Sequence, residues 1–99
     1  MTIPANPVSF ADAIKPLFRD IDISCMKNRG VMLDDYEWIS DPAAGTVGAC
    51  DDFPDHANAR SVFAFLTGDC TPRMPFGGPF WKAEKIELYQ QWMDGGFQP

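Results

Sequence analysis

Hydrophobic residues recur at helical spacing near the start of the chain. Residues 10–20 carry an apolar stripe at intervals of three and four residues, and Ser9 precedes it as a capping residue, so we predict a helix there. The stripe consists of Phe10, Ile14, Leu17, Phe18 and Ile21. Pro16 lies inside this segment and predicts a kink or a short turn. Two prolines in residues 1–8 predict an extended arm ahead of the helix.

The middle of the chain predicts mainly loops with one short helix. Residues 22–34 form the first loop, and Asp34 or Asp35 caps a helix through residues 36–39 that Asp41-Pro42 ends. Residues 43–54 carry two glycines and a proline, which is typical of a surface loop.

Two longer helices are predicted in the second half. One runs from about residue 56 to 67, with Asp55 as its cap and Gly68 at its end, and the other covers about residues 82–94. Their buried faces contain Ala59, Val62, Phe63 and Leu66, and Ile86, Tyr89, Trp92 and Met93. No segment alternates convincingly with a period of two residues. We therefore predict an all-α fold of about four helices in a single domain, residues 9–97.

Composition and charge limit the classes of partner. The 99 residues suffice for one domain, and their net charge is −6. Nucleic-acid binding is not expected, because phosphate contacts need clustered basic residues and those before residue 80 are scattered. No stretch approaches the ~20 apolar residues of a membrane helix. The first residues lack the basic and apolar regions of a secretory signal, so we expect a cytoplasmic protein.

The cysteines and the single histidine offer few ligands. Three cysteines without a CxxC pair favour free thiols in a reducing compartment, and a Cys50–Cys70 disulfide is the alternative. A metal site would need the loop 43–55 to fold back on the turn 69–73, and its ligand spacing matches no common pattern. Its ligands would be Cys50, Cys70 and His56 with Asp51, Asp52 and Asp55. We predict no metal.

Catalytic motifs are also missing from the sequence. It contains no Ser/His/Asp set and no glycine-rich phosphate loop, and Cys25 has no evident base to activate it as a nucleophile, although Lys27 and Arg29 are near in sequence. We therefore expect a protein that is not an enzyme.

A series of short motifs runs through residues 8–97. AIKPLF at 13–18 precedes Cys25 and GVMLD at 30–34, and LTG at 66–68 precedes RMPFGGP at 73–79. The chain closes with IELYQQWMDGG at 86–96. In order, spacing and residue identity these motifs resemble the small cytochrome c domains often attached to bacterial and planctomycete membrane-associated proteins. The resemblance implies a small helical fold whose first and last helices pack together.

The chain departs from that family at the haem attachment motif Cys-x-x-Cys-His. When the second cysteine is aligned with Cys25, Asp22 replaces the first cysteine and Met26 replaces the axial histidine. Met74 corresponds to the distal axial methionine. A carboxylate cannot form the thioether, and the strong imidazole ligand is lost. The resemblance therefore implies a haem-less relative that uses no cofactor, in which Asp22, Cys25, Met26 and Met74 are vestigial positions.

Loss of haem has a consequence for packing. An empty haem-sized cavity, at roughly 20–25 cal/mol per Å3, would cost more than the ~5–15 kcal/mol that stabilises a domain. We therefore predict that aromatic side chains fill the haem pocket. The candidates are Trp38, Phe53, Phe63, Phe76, Phe80 and Trp81.

The expected function is that of a non-catalytic accessory subunit that binds and supports a partner enzyme. The segment 72–81 concentrates residue types that are enriched in binding hot spots, and the matching loop of cytochromes c lies beside the exposed haem edge. Its contact residues would be Pro72, Arg73, Met74, Pro75, Phe76, Phe80 and Trp81. The alternative for this segment is an internally packed loop that covers the filled pocket.

Two other functions stay open at this point. Met26, Met74 and Cys25 offer soft sulfur ligands, so a redox or metal carrier with non-covalent haem or Cu(I) is one alternative. A small-molecule binding module that uses the vacated haem pocket is the other, and it requires an open cavity of a few hundred Å3.

Overall fold

Helices make up most of the computed structural model, which describes residues 8–46, 52–71, 73–75 and 78–99. Two short turns open the described chain, a π-helical turn Phe10–Ile14 and a 3-10 turn Lys15–Leu17, which we call the N-terminal turns. The α-helices are α1 (Asp20–Lys27), α2 (Tyr36–Ile39), α3 (Ala57–Thr67) and α4 (Ala83–Asp94). Two short strands, β1 (Gly45–Thr46) and β2 (Asp52–Phe53), lie between α2 and α3. The predicted arm, residues 1–8, lies outside the described residues except for Val8.

The short turn predicted around Pro16 is present, because the helix predicted over residues 10–20 is divided into the turns Phe10–Ile14 and Lys15–Leu17 and ends before residue 20. Pro16 has no N–H to donate, and its ring crowds the carbonyl four residues earlier, so a regular α-helix is interrupted there. The N–H of Lys15 instead donates to the carbonyl of Phe10, and the chain becomes extended at Phe18. A new helix, α1, then occupies part of the predicted loop 22–34, because the carboxylate of Asp22 accepts the N–H of Arg19 at 3.2 Å.

The remaining helices lie where they are predicted. Asp35 caps α2 by accepting the N–H groups of Glu37 and Trp38, and Gly68 ends α3 in the left-handed conformation with φ of 89°. The cap predicted for α3 is wrong, since the N-cap residue is His56. The carboxylate of Asp55 instead contacts His56 and Arg60.

The fold is mostly helical rather than purely α, because β1 and β2 form a two-stranded antiparallel sheet. Gly45 pairs with Phe53 and Thr46 pairs with Asp52. Strands of two residues are too short to show a period-two pattern, so the sequence predicts only a loop there. Residues 47–51 lie outside the described residues.

The two ends of the described chain are in contact with each other. The ring centroids of Phe10 and Trp92 lie 5.6 Å apart. The carbonyl of Gln98 accepts both the N–H of Phe10 at 3.0 Å and the indole N–H of Trp92 at 2.9 Å. These contacts place the N-terminal turns on α4.

None of the described helices is long and apolar enough to cross a bilayer.

The core lies between the N-terminal turns, α3 and α4. Of the predicted buried faces, Phe63 and Ile86 are only partly buried, because they lie at the edges of their helix faces. The other members of those faces are buried: Ala59, Val62, Leu66, Tyr89, Trp92 and Met93.

Candidate functional site

Helix α1 carries three of the four positions that the resemblance to cytochrome c implies are vestigial. Asp22 and Met26 are separated by four residues, so they share one face of the helix, and both are buried. Cys25 lies on another face and is an exposed free thiol. The helix therefore separates the cysteine from the two positions that face the core.

A two-point ion pair occupies the position of the family's first attachment cysteine. Arg19 donates from Nη2 to Asp22 Oδ1 at 2.8 Å and from Nε to Oδ2 at 2.9 Å. These hydrogen bonds lower the pKa of Asp22 below its usual value, and they outweigh burial, which acts in the opposite direction. Arg19 remains about half exposed, so its charge stays in contact with water in the ion pair.

Met74, the fourth vestigial position, lies beside Asp22. Its N–H donates to the carbonyl of Phe65 at 2.9 Å, and its side chain is buried. Both residues line a cavity of only about 10 Å3, whose other walls are Phe18, Leu33, Leu66, Pro75 and Trp81. That volume is about what one water molecule needs. The structure therefore brings Asp22 and Met74 together around a space that is too small for an organic ligand.

Trp81 is the one predicted filling residue that lines this cavity in the described part of the chain. Phe18, which is not among the predicted filling residues, packs against Trp81 with ring centroids 5.3 Å apart. Phe80 does not fill the pocket, since it is 48% exposed. Phe53 and Phe63 line a different cleft, and Trp38 is partly buried against the core. Phe76 lies outside the described residues.

The three sulfur atoms of the proposed carrier do not face a common space. Met26 and Met74 are buried in the core, whereas Cys25 is exposed. No group of three or more His, Cys, Asp or Glu side chains within the described ranges is arranged to hold a metal ion.

The expectation of free thiols is wrong for Cys70, which is disulfide-bonded. A disulfide sulfur is not a thiolate, so Cys70 is not available to the metal site considered from sequence. His56 is also engaged, because its Nδ1 lies 2.8 Å from Asp55 Oδ2 and its ring stacks on Phe97 with centroids 3.9 Å apart. Cys50 and Asp51 lie outside the described residues.

The segment proposed for partner contact is partly internal. Met74, Pro75 and Trp81 are buried, because they close the small cavity, so Met74 and Pro75 are not free to meet a partner. The guanidinium of Arg73 lies over the ring of Phe80, 4.5 Å from its centroid, and its Nε donates to the carbonyl of Leu66 at 3.4 Å. Pro72 and Phe76 are outside the described residues.

A surface groove of about 210 Å3 follows this segment and runs onto the start of α4. We call it the Phe80 groove, and its walls are Pro79, Phe80, Trp81, Lys82, Glu84 and Lys85. Lys85 Nζ lies 5.8 Å from the centroid of the Trp81 ring. Lys82 and Lys85 are absent from the predicted contact residues, although their spacing of three residues beside Trp81 places them on one face of the helix start.

No protein-family model, no curated protein and no solved structure matches the chain. The resemblance to cytochrome c domains therefore rests on the sequence motifs named above.

Proposed function

We propose that the protein is a non-catalytic, haem-free cytochrome c-like accessory subunit that binds and supports a partner enzyme. The observation that carries this proposal is the cavity of about 10 Å3 between Asp22 and Met74. At the positions where the family binds haem, this chain has an ion pair and packed rings. A fold that has no room for a cofactor still presents its surface, and that surface can bind a partner protein.

The Phe80 groove is the proposed docking site, and its partner presents an acidic surface with an apolar side chain. Phe80 is one of two large hydrophobic side chains that are exposed among the described residues. Arg73, Lys82 and Lys85 surround it, and Glu84 is the one acidic wall. On a chain with net charge −6, this local excess of cations favours an acidic partner.

The disulfide of Cys70 supports a different compartment from the one expected from the start of the chain. Disulfides persist in oxidising compartments and are rare where glutathione keeps thiols reduced. The bonded state of Cys70 therefore favours an oxidising compartment over the cytoplasm expected from sequence.

Absorbance spectroscopy tests the loss of the cofactor. Purified protein is mixed with one equivalent of haemin, and in a separate sample with one equivalent of Cu(I), and is then separated from unbound ligand. We expect the protein to elute without a haem Soret band and without copper by elemental analysis. Stoichiometric haem or copper in the protein fraction would favour the carrier function instead.

Co-purification from the native source tests the docking site. Wild-type protein is expected to recover one dominant enzyme, and the variant Phe80→Ala is expected to lose it. Ile21→Ala is the matched control, because Ile21 is the other exposed large hydrophobic side chain and does not line the groove. Raising the ionic strength should weaken the complex, since exposed charges are screened. Equal recovery by all three proteins would contradict the docking site.

A further inference from the structure

A second cleft, of about 290 Å3, opens between α3, α4 and β2 and is separate from the Phe80 groove. On α3, Arg60, Phe63 and Ala64 face it at helical spacing, and on α4, Gln90 and Asp94 do so. The volume is close to the lower end of the range of about 300–1,000 Å3 for small-molecule sites. A ligand of this cleft is therefore no larger than one ring with a short chain.

One part of the cleft wall is apolar, and its packing partly fixes it in place. Phe53, Phe63 and Met93 supply two aromatic rings and a thioether. The ring of Phe63 stacks on buried Tyr89, with centroids 5.8 Å apart and planes inclined by 20°. Aromatic side chains of this kind pack against a second aromatic ring, and the faces of their rings also attract cations.

The polar residues give the cleft a negative charge. Arg60 is already engaged with Asp55, because its Nε donates to the backbone carbonyl and its Nη2 lies 3.1 Å from Oδ2. Asp69 and Asp94 also line the cleft, and neither has an ion-pair partner among the described residues. Among the residues that line the cleft, the two carboxylates of Asp69 and Asp94 outnumber the single cation of Arg60, which is already bound to Asp55 outside the lining.

We propose that this cleft binds a small organic cation, namely an aromatic ring that carries a short aminoalkyl chain. The ring lies between Phe53 and Phe63 beside Met93, and the ammonium group lies near Asp69 and Asp94. The carboxylates select a cation over a neutral or an anionic molecule of the same shape, and the apolar walls select an aromatic amine over a metal ion or a purely polar amine.

Titration with three probes of matched size tests this site by NMR chemical-shift mapping on the full chain. The probes are 2-phenylethylamine, 2-phenylethanol and phenylacetate. We expect saturable shifts at Phe63, Gln90 and Met93 with the amine, weaker binding of the alcohol, and the weakest binding of the anion. Equal affinity for amine and alcohol, or shifts confined to residues outside the cleft, would overturn the proposal.

Variants locate the charge selectivity. Asp94→Asn and Asp69→Asn are each expected to weaken amine binding by about two- to five-fold, because an exposed ion pair contributes little, and to leave alcohol binding unchanged. Asp34→Asn makes the same charge change at an exposed position outside the cleft and should not alter either affinity. Equal weakening by Asp34→Asn and Asp94→Asn would mean that net charge alone attracts the amine, which contradicts a built site.

Discussion

The indole of Trp81 packs against the phenyl ring of Phe18, with ring centroids 5.3 Å apart and planes inclined by 32°. Both side chains are buried, and both line the small cavity that Asp22 and Met74 share. Asp22 and Met74 are the positions that the cytochrome c resemblance assigns to haem attachment and axial ligation. The two rings therefore lie beside the vestigial positions, and the packing there can be tested directly.

Truncation of Trp81 should destabilise the fold strongly. The substitution Trp81→Ala removes a buried ring and leaves a cavity, so we expect the free energy of unfolding to fall by about 3–5 kcal/mol. The neighbouring substitution Phe80→Ala removes an exposed ring and its contact with Arg73, which should cost only about 0.5–1 kcal/mol. Urea denaturation of the two variants measures both losses. Similar losses would mean that Trp81 does not support the core as its burial indicates.

The ion pair of Arg19 and Asp22 should contribute to the fall in the free energy of unfolding at low pH. Hydrogen bonds from Arg19 lower the pKa of folded Asp22 below the ordinary value of 3.8. The stability that this carboxylate contributes is complete above that value and is lost as the pH falls through the lower, folded pKa. We expect Asp22→Asn to reduce the slope of unfolding free energy against pH below about pH 4.

A second carboxylate provides the comparison for this measurement. Hydrogen bonds from His56 and Arg60 also lower the pKa of Asp55. The variant Asp55→Asn should therefore remove a separate part of the same dependence of unfolding free energy on pH. Urea midpoints between about pH 2.5 and 6 measure both effects. An unchanged slope in Asp22→Asn would show that Arg19 does not bind this carboxylate selectively in the folded state.

The helices that follow their sequence pattern are those whose faces meet the core without interruption. In α3 and α4 the apolar spacing alone locates the buried side, and Gly68 has the positive φ that its position predicts. The first segment is divided into short turns, as Pro16 predicts, because proline lacks the N–H that a continuous α-helix would use. Helix α1 is overlooked because its start depends on the side chain of Asp22, which the resemblance treats only as a replaced cysteine.

The candidate site is predictable in its positions but not in its packing. Asp22 and Met74, two of the positions that the resemblance names, line one cavity. The motif spacing does not identify Phe18, which reaches the cavity because the chain turns extended after the 3-10 turn. Phe80 and Trp81 are adjacent and equally apolar, yet one is exposed and the other buried. Only the path of the backbone decides between them.

The state of the cysteines gives a chemical test of the compartment. Cys25 is exposed and free, and Cys70 is disulfide-bonded. One of the three cysteines should therefore be alkylated before reduction. Alkylation with iodoacetamide followed by mass spectrometry should add one group to protein from the native source and three after reduction. Cys25→Ser should abolish the first addition. Three groups without reduction would indicate a reduced protein and would favour the cytoplasm.

Tyr89 should resist ionisation as long as the fold persists. Its side chain is fully buried, and its hydroxyl donates to the carbonyl of Ala59 at 2.9 Å, which links α4 to α3. Burial raises the pKa of Tyr89 well above its ordinary value of 10.0, because the phenolate would lose its hydration. The resulting stability is fully present below the unfolded pKa and is lost as the pH rises towards the raised, folded value.

The variant Tyr36→Phe isolates this effect, since the chain has two tyrosines and only Tyr89 then remains. Above about pH 10 its phenolate absorbance should rise together with the loss of helical circular dichroism, because ionisation requires unfolding. The variant Tyr89→Phe should lose about 0.5–1.5 kcal/mol at neutral pH through the missing hydrogen bond. Its unfolding free energy should then fall less steeply at alkaline pH. Phenolate formation in Tyr36→Phe at unchanged helicity would show that water reaches Tyr89 in the folded protein and that the contact between α3 and α4 opens without unfolding.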